Sequence, residues 1–221
     1  MPPFAVREIS GPAGRLEASL EEPDLAPGMP LTAAVVFAHP HPLQGGTMHT
    51  KIVYRSAKAL VSLGCAVLRF NFRGVGASEG TFDNGVGEKD DFRAGLDFMD
   101  RRYPDADLWA AGFSFGSYIS LVAGNADDRV TTLIGVAPAL HMYDFSSIVT
   151  STKPKFIVQG ANDEICPLPH LQAFFAGLRE PKMLAIVPGA NHLFTGKVNE
   201  GAEALREIVA EYIASAPTGK P

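Results

Sequence analysis

Ser114 stands between two glycines in residues 112–117, GFSFGS, a G-x-S-x-G pattern. The pattern suits a serine held on a sharp strand-to-helix turn. Small flanking residues relieve the crowding, the hydroxyl is pushed clear of the sheet, and the amide of Phe115 falls at a helix start, where it can face a developing oxyanion. The same letters would describe a small-residue turn packed against a neighbouring strand. The apolar run before it (107–113) and the helical pattern after it (115–124) favour the nucleophile. A serine hydroxyl is a weak nucleophile and needs a base, and the base needs a carboxylate to fix its tautomer. Two later turns offer both. Asp163 lies in QGANDEICP, just past an apolar run at 155–160, and His192 lies in GANHLF, just past another at 182–188. Asn162–Asp163 would also make an ordinary Asx turn. Glu164 is a second candidate acid; Asp163 is preferred because it is nearer the strand end. Of the six histidines (39, 41, 49, 141, 170 and 192), His192 follows the last strand and comes after the candidate serine and acid.

A second dense segment is HPHPLQGGTMHTK, residues 39–51, which follows an apolar run at 31–38. Pro40 and Pro42 have no N–H, so His39, His41 and Leu43 are the backbone donors available there, and His41 is the choice for a second oxyanion donor by its place in the turn. His39, His41 and His49 could instead hold zinc. The prolines constrain their directions and no spaced carboxylate accompanies them, so no metal is expected, and a packing role for the His39 side chain is favoured. The glycines of RFNFRGVGASEG (69–80) resemble a phosphate loop, but more loop follows instead of a helix, which argues against a nucleotide site. Arg73 is expected to pair with Asp90 or Asp91.

The elements that must position these residues follow from hydrophobic patterning. Residues 31–38, 65–72, 107–113, 131–137, 155–160 and 182–188 are nearly continuous apolar runs, as in parallel strands buried on both faces. Stretches 47–63, 87–102, 115–124, 168–178 and 199–214 between and after them read as helices. The alternation predicts an α/β fold: a mostly parallel sheet with helices on both faces. Short strands at 4–9 and 15–21, joined by a Gly/Pro turn, predict an antiparallel N-terminal hairpin at one edge. Residues 1–221 are read as one domain, with a frayed tail at 217–221.

The 221 residues carry 19 Lys and Arg against 24 Asp and Glu, a formal net charge of -5, which gives no reason to expect nucleic acid as a partner. Two cysteines, Cys65 and Cys166, do not make a disulfide framework, and both are expected to be reduced. MPPFAVREIS lacks the pattern of a signal peptide and no apolar stretch is long enough to span a bilayer, so a cytoplasmic protein without membrane association is expected.

Taken together, HPHPLQGGTMHTK, RFNFRGVGASEG, GFSFGS, QGANDEICP and GANHLF resemble the α/β-hydrolase superfamily over nearly the whole chain. The combination is similar to the small, lidless branch related to dienelactone hydrolases and bacterial carboxylesterases. The resemblance implies Ser114 as nucleophile, Asp163 as acid, His192 as base, and the main-chain N–H groups of His41 and Phe115 as the oxyanion hole, with no cofactor. Dienelactone hydrolases proper carry cysteine at the elbow, so Ser114 favours an ordinary esterase. Many relatives insert a lid where this chain has only the short loop 137–153. An open site bordered by Leu43, Leu140, Met142, Tyr143, Phe145 and Phe194 is therefore expected, acting on a small-molecule ester. An amidase, peptidase or thioesterase with the same triad, or a non-catalytic binding protein, stays open at this level, as does a homo-oligomer.

Overall fold

The structure, a computed structural model, describes residues 6–215. Eight strands form one sheet: β1 (Glu8–Gly11), β2 (Gly14–Glu21), β3 (Ala33–Ala38), β4 (Cys65–Phe70), β5 (Leu108–Phe113), β6 (Val130–Val136), β7 (Lys155–Gly160) and β8 (Lys182–Val187). Their order is β1-β2-β4-β3-β5-β6-β7-β8. The β1–β2 and β2–β4 pairs are antiparallel and every other pair is parallel. The expected hairpin therefore sits at the edge.

The helices are α1 (Lys51–Ser62), α2 (Gly87–Arg102), α3 (Phe115–Asn125), α4 (Ser146–Val149), α5 (Leu168–Gly177) and α6 (Val198–Ser215). Side chains of successive strand residues alternate between two cores. Ala34 and Val36 of β3 join Phe92 and Leu96 of α2 and Ile119 and Leu121 of α3 on one face. Ala33, Val35 and Phe37 join Ile52 and Leu60 of α1 and Leu205 and Val209 of α6 on the other. That period of two, on strands with no exposed residue, is why β3 reads as an unbroken apolar run. Each fully buried Leu or Phe stabilises the fold by about 2 kcal/mol.

The ends of the elements shift from the sequence reading. α1 starts at Lys51 rather than Thr47, because residues 47–50 form a turn closed by Thr50 N–H to Thr47 O at 3.0 Å and Thr47 N–H to Thr50 Oγ1 at 3.2 Å. β4 ends at Phe70, where Asn71 leaves the parallel ladder to bond Glu17 O. The first strand begins at Glu8; residues 4 and 5 of the expected strand, and the tail 217–221, lie outside the described residues. The link between β6 and β7 holds only the four-residue α4 and no cap. Arg73 forks onto Asp91, not Asp90, with Nη2 2.8 Å and Nε 3.0 Å from its carboxylate, and ties the long loop after β4 to α2.

Candidate active site

Ser114 occupies the turn between β5 and α3 with φ 55 and ψ -116, a backbone conformation that side chains rarely adopt. Two close approaches hold it there. A Cβ on Gly112 would enter the Gly116 carbonyl, and a Cβ on Gly116 would enter the carbonyls of Ala38 and His39. Ser114 N–H donates to Val136 O at 2.9 Å, and its own carbonyl accepts Ser117 Oγ at 2.7 Å. The Ser114 hydroxyl does not cap α3, so it is free to face the base.

His192 follows β8 and is 6% exposed. Its Nε2 lies 2.8 Å from Ser114 Oγ, and its Nδ1 lies 2.9 Å from Asp163 Oδ2. The ring packs on Phe113 with centroids 5.4 Å apart. Asp163, just past β7, takes two backbone N–H donors on its other oxygen, from Ile165 and Cys166, each at 2.8 Å. Burial pushes its carboxyl pKa up, but the hydrogen bonds from His192, Cys166 and Ile165 outweigh burial and hold it below the usual carboxylate range. A carboxylate so held orients the Nδ1–H tautomer of the imidazole and leaves Nε2 to accept the serine proton. Glu164, the other candidate acid, instead accepts the backbone N–H of His192 at 3.1 Å.

The loop after β3 is built around His39, which is fully buried. Its Nε2 lies 3.0 Å from the Phe72 N–H and so accepts, which leaves Nδ1–H to donate to Pro40 O at 2.6 Å. Pro40 O and the His41 N–H belong to one planar peptide, so that bond fixes the direction of the amide. The Leu43 N–H is used internally, donating to His41 Nδ1 at 3.2 Å. The His41 carbonyl accepts Gln44 and Gly46 N–H, both at 3.1 Å. The His41 N–H has no protein acceptor among the described residues, and the Phe115 N–H opens α3, where the first-turn donors have no intrahelical partner.

Above Ser114 and His192 opens a cavity of about 240 Å³. Of the residues expected at its border, Met142 and Tyr143 line it. Leu43 is largely exposed on the 3₁₀ turn Pro42–Gln44 and does not line it. Leu140 packs against one core, and Phe145 is buried edge-on against Tyr118. Phe194 is fully buried against Phe113 on the α1–α6 side and does not line the cavity. The lining instead includes Gln44, Ile165 and Leu193, together with Glu164. Ile165 and Leu193 sit two residues after Asp163 and one after His192, and that adjacency was the available signal.

Both cysteines are buried and unpaired. Burial pushes the Cys65 thiol up to about 12 and raises Cys166 as well, which keeps both protonated and poor nucleophiles. Among the described residues no three His, Cys, Asp or Glu side chains come together as a metal site, and no helix is long and apolar enough to cross a membrane.

The family model described as serine aminopeptidase, S33, matches residues 30–153, more than half of the chain. A model described as PhoPQ-activated pathogenicity-related protein matches residues 120–218. An uncharacterized protein of Rickettsia prowazekii is 36% identical over 210 residues, covering 91% of this chain and 87% of its own length. An alpha-beta serine hydrolase homologue from Coxiella burnetii is 40% identical with a TM-score of 0.86, covering 95% of this chain and 98% of that one. A serine hydrolase without lid from Xanthomonas campestris is 34% identical with a TM-score of 0.85, covering 98% and 99%. With matches of this identity along nearly its whole length, the chain belongs to the α/β serine hydrolases.

Proposed function

We propose that this hydrolase cleaves small, short-chain carboxylic esters through an acyl-enzyme. The observation that carries the reading is the unbroken relay from Ser114 Oγ through both ring nitrogens of His192 to Asp163, opening onto a cavity of about 240 Å³. Ser114 attacks the ester carbonyl carbon while its proton passes to His192 Nε2. The carbonyl oxygen becomes an oxyanion held by the N–H groups of His41 and Phe115. Collapse expels the alcohol, which leaves with the proton from His192. Water then gives its proton to the same nitrogen, attacks the acyl carbonyl, and releases the acid and Ser114. Asp163 stabilises the imidazolium in both halves. No cofactor enters these steps. The apolar walls from Met142, Ile165 and Leu193 and the presence of Glu164 in the lining favour neutral, apolar acyl groups over anionic ones.

Amide or peptide cleavage is the second reading, favoured by the description of the matching family model. The test is mass spectrometry after treatment with a fluorophosphonate, followed by turnover of p-nitrophenyl acetate and the anilide of the same acid. The expected results are one adduct on Ser114, its loss in His192→Ala, and much faster ester than anilide turnover. A folded wild type that takes no adduct would remove the assignment, and comparable anilide turnover would move it to amides.

A further inference from the structure

Gln159 is the penultimate residue of β7, is fully buried, and has no part in the steps above. Its amide nitrogen donates to Asp163 Oδ2 at 2.8 Å and to the Cys166 carbonyl at 2.9 Å. Oδ2 is the same oxygen that receives His192 Nδ1. The Gln159 carbonyl oxygen is buried without a partner among the described residues. Leaving an acceptor unmade in the interior costs about 1–3 kcal/mol. Turning the amide over would not recover that cost, because its carbonyl would then face two acceptors, Asp163 Oδ2 and Cys166 O. The amide is thus locked with its N–H on the acid. A side chain whose task was only to fill this space would be apolar and leave no orphaned oxygen.

From this geometry we propose that Gln159 is a positioning residue of the relay: its N–H holds Asp163 Oδ2 in line with His192 and draws charge from the oxygen that the imidazole reads. The inference rests on the triad reading above. With the donor removed, Oδ2 carries more charge toward His192, the imidazolium is stabilised, and the carboxylate is freer to rotate. Among the described residues, the titratable groups around the pair include His41 and Tyr143, which line the same cavity as His192, and Glu164 and Cys166 on the acid's own turn.

Two variants of nearly the same shape separate this role from packing. Gln159→Met removes the donor. Its kcat for p-nitrophenyl acetate should fall about tenfold, with KM little changed, and the acid limb of its kcat/KM profile should move up by roughly half a pH unit. Gln159→Glu keeps a donor while its carboxyl is protonated and places a second negative charge against Asp163 once it ionises. Its acid limb should stay at the wild-type position while that carboxyl is protonated, because the donor is kept, and its profile should gain a descending limb as pH rises and the donor is lost. Should the Met variant fail to fold, Gln159→Leu, which also lacks the donor, carries the same test. Ser114 labelled in wild type, with wild-type profiles in folded variants, overturns the role of Gln159 alone. Unlabelled Ser114 in wild type overturns both readings.

Discussion

Single side chains in this molecule are set by which of their atoms are already committed. His39 and His192 both use two ring nitrogens, but His192 faces an open cavity and His39 is sealed. Burial pushes the His39 pKa down to about 4, only partly opposed by its bond to Pro40 O. The unfolded chain takes up a proton on this residue near its ordinary value of 6.5, while the folded protein refuses it until about 4. His39 therefore contributes stability that is fully present above pH 6.5 and is lost as pH falls toward 4, about 3 kcal/mol in all. Denaturant midpoints measured between pH 7 and 4.5 should drop steeply in wild type. In His39→Asn the drop should be shallower from a lower starting stability, because no imidazole titrates there. Equal slopes in the two proteins would show that His39 is not the sensitive group. The HPHP run marked the loop after β3 in plain view, yet the use of the His39 ring was not legible beyond a packing role. Its acceptor bond comes from Phe72, thirty-three residues away.

At the scale of elements, the elbow depends on backbone meeting backbone. Gly116 lies in the first turn of α3, where a side chain would enter the carbonyls of Ala38 and His39 at the end of β3. Neither carbonyl belongs to a flexible side chain that could swing aside. Gly116→Ala should destabilise the protein by about 2 kcal/mol or more and, under the proposed mechanism, lower turnover of p-nitrophenyl acetate, since α3 carries the Phe115 amide. Gly177→Ala, at the last residue of α5 with open space around it, is the control and should be neutral or slightly stabilising. Denaturant midpoints of the two variants decide the matter, and a Gly116→Ala protein as stable as the control would contradict the close approach. The inner strands were legible because burial on both faces makes their sequences continuously apolar. The edge strand β8 was legible too, though it is only half-buried. The start of α1 was misread because residues 47–50 bond among themselves, and α4 was missed because four residues, SSIV, carry no period.

Across the whole molecule, the parallel order brings the loops after β3, β5, β6, β7 and β8 to one edge of the sheet, so that His41, Ser114, Met142, Asp163 and His192 converge. The meeting of Ser114, His192 and Asp163 was legible because each lies within a few residues of a strand end. The cavity wall was not, because it depends on how five loops lean together, and of two neighbours on one of them Phe194 is buried in the core while Leu193 is exposed. Leu193 is 58% exposed and lines two spaces at once. On one side is the cavity of about 240 Å³ over Ser114. On the other is a wider groove of about 510 Å³ between the starts of α1 and α6, floored by Ile52 and Val198. Leu193 is the residue common to both linings, and no cap from the β6–β7 link closes either one from above. Leu193→Ala should join the two spaces and relax the size limit on the substrate. Compared over a series of p-nitrophenyl esters, the ratio of kcat/KM for octanoate to that for acetate should rise on the order of tenfold, with acetate turnover nearly unchanged because the relay is untouched. An unaltered ratio would mean that the limit on substrate size is set elsewhere, at Met142 and Tyr143 on the opposite wall, and a fall in acetate turnover would mean that Leu193 also holds the His192 loop in place.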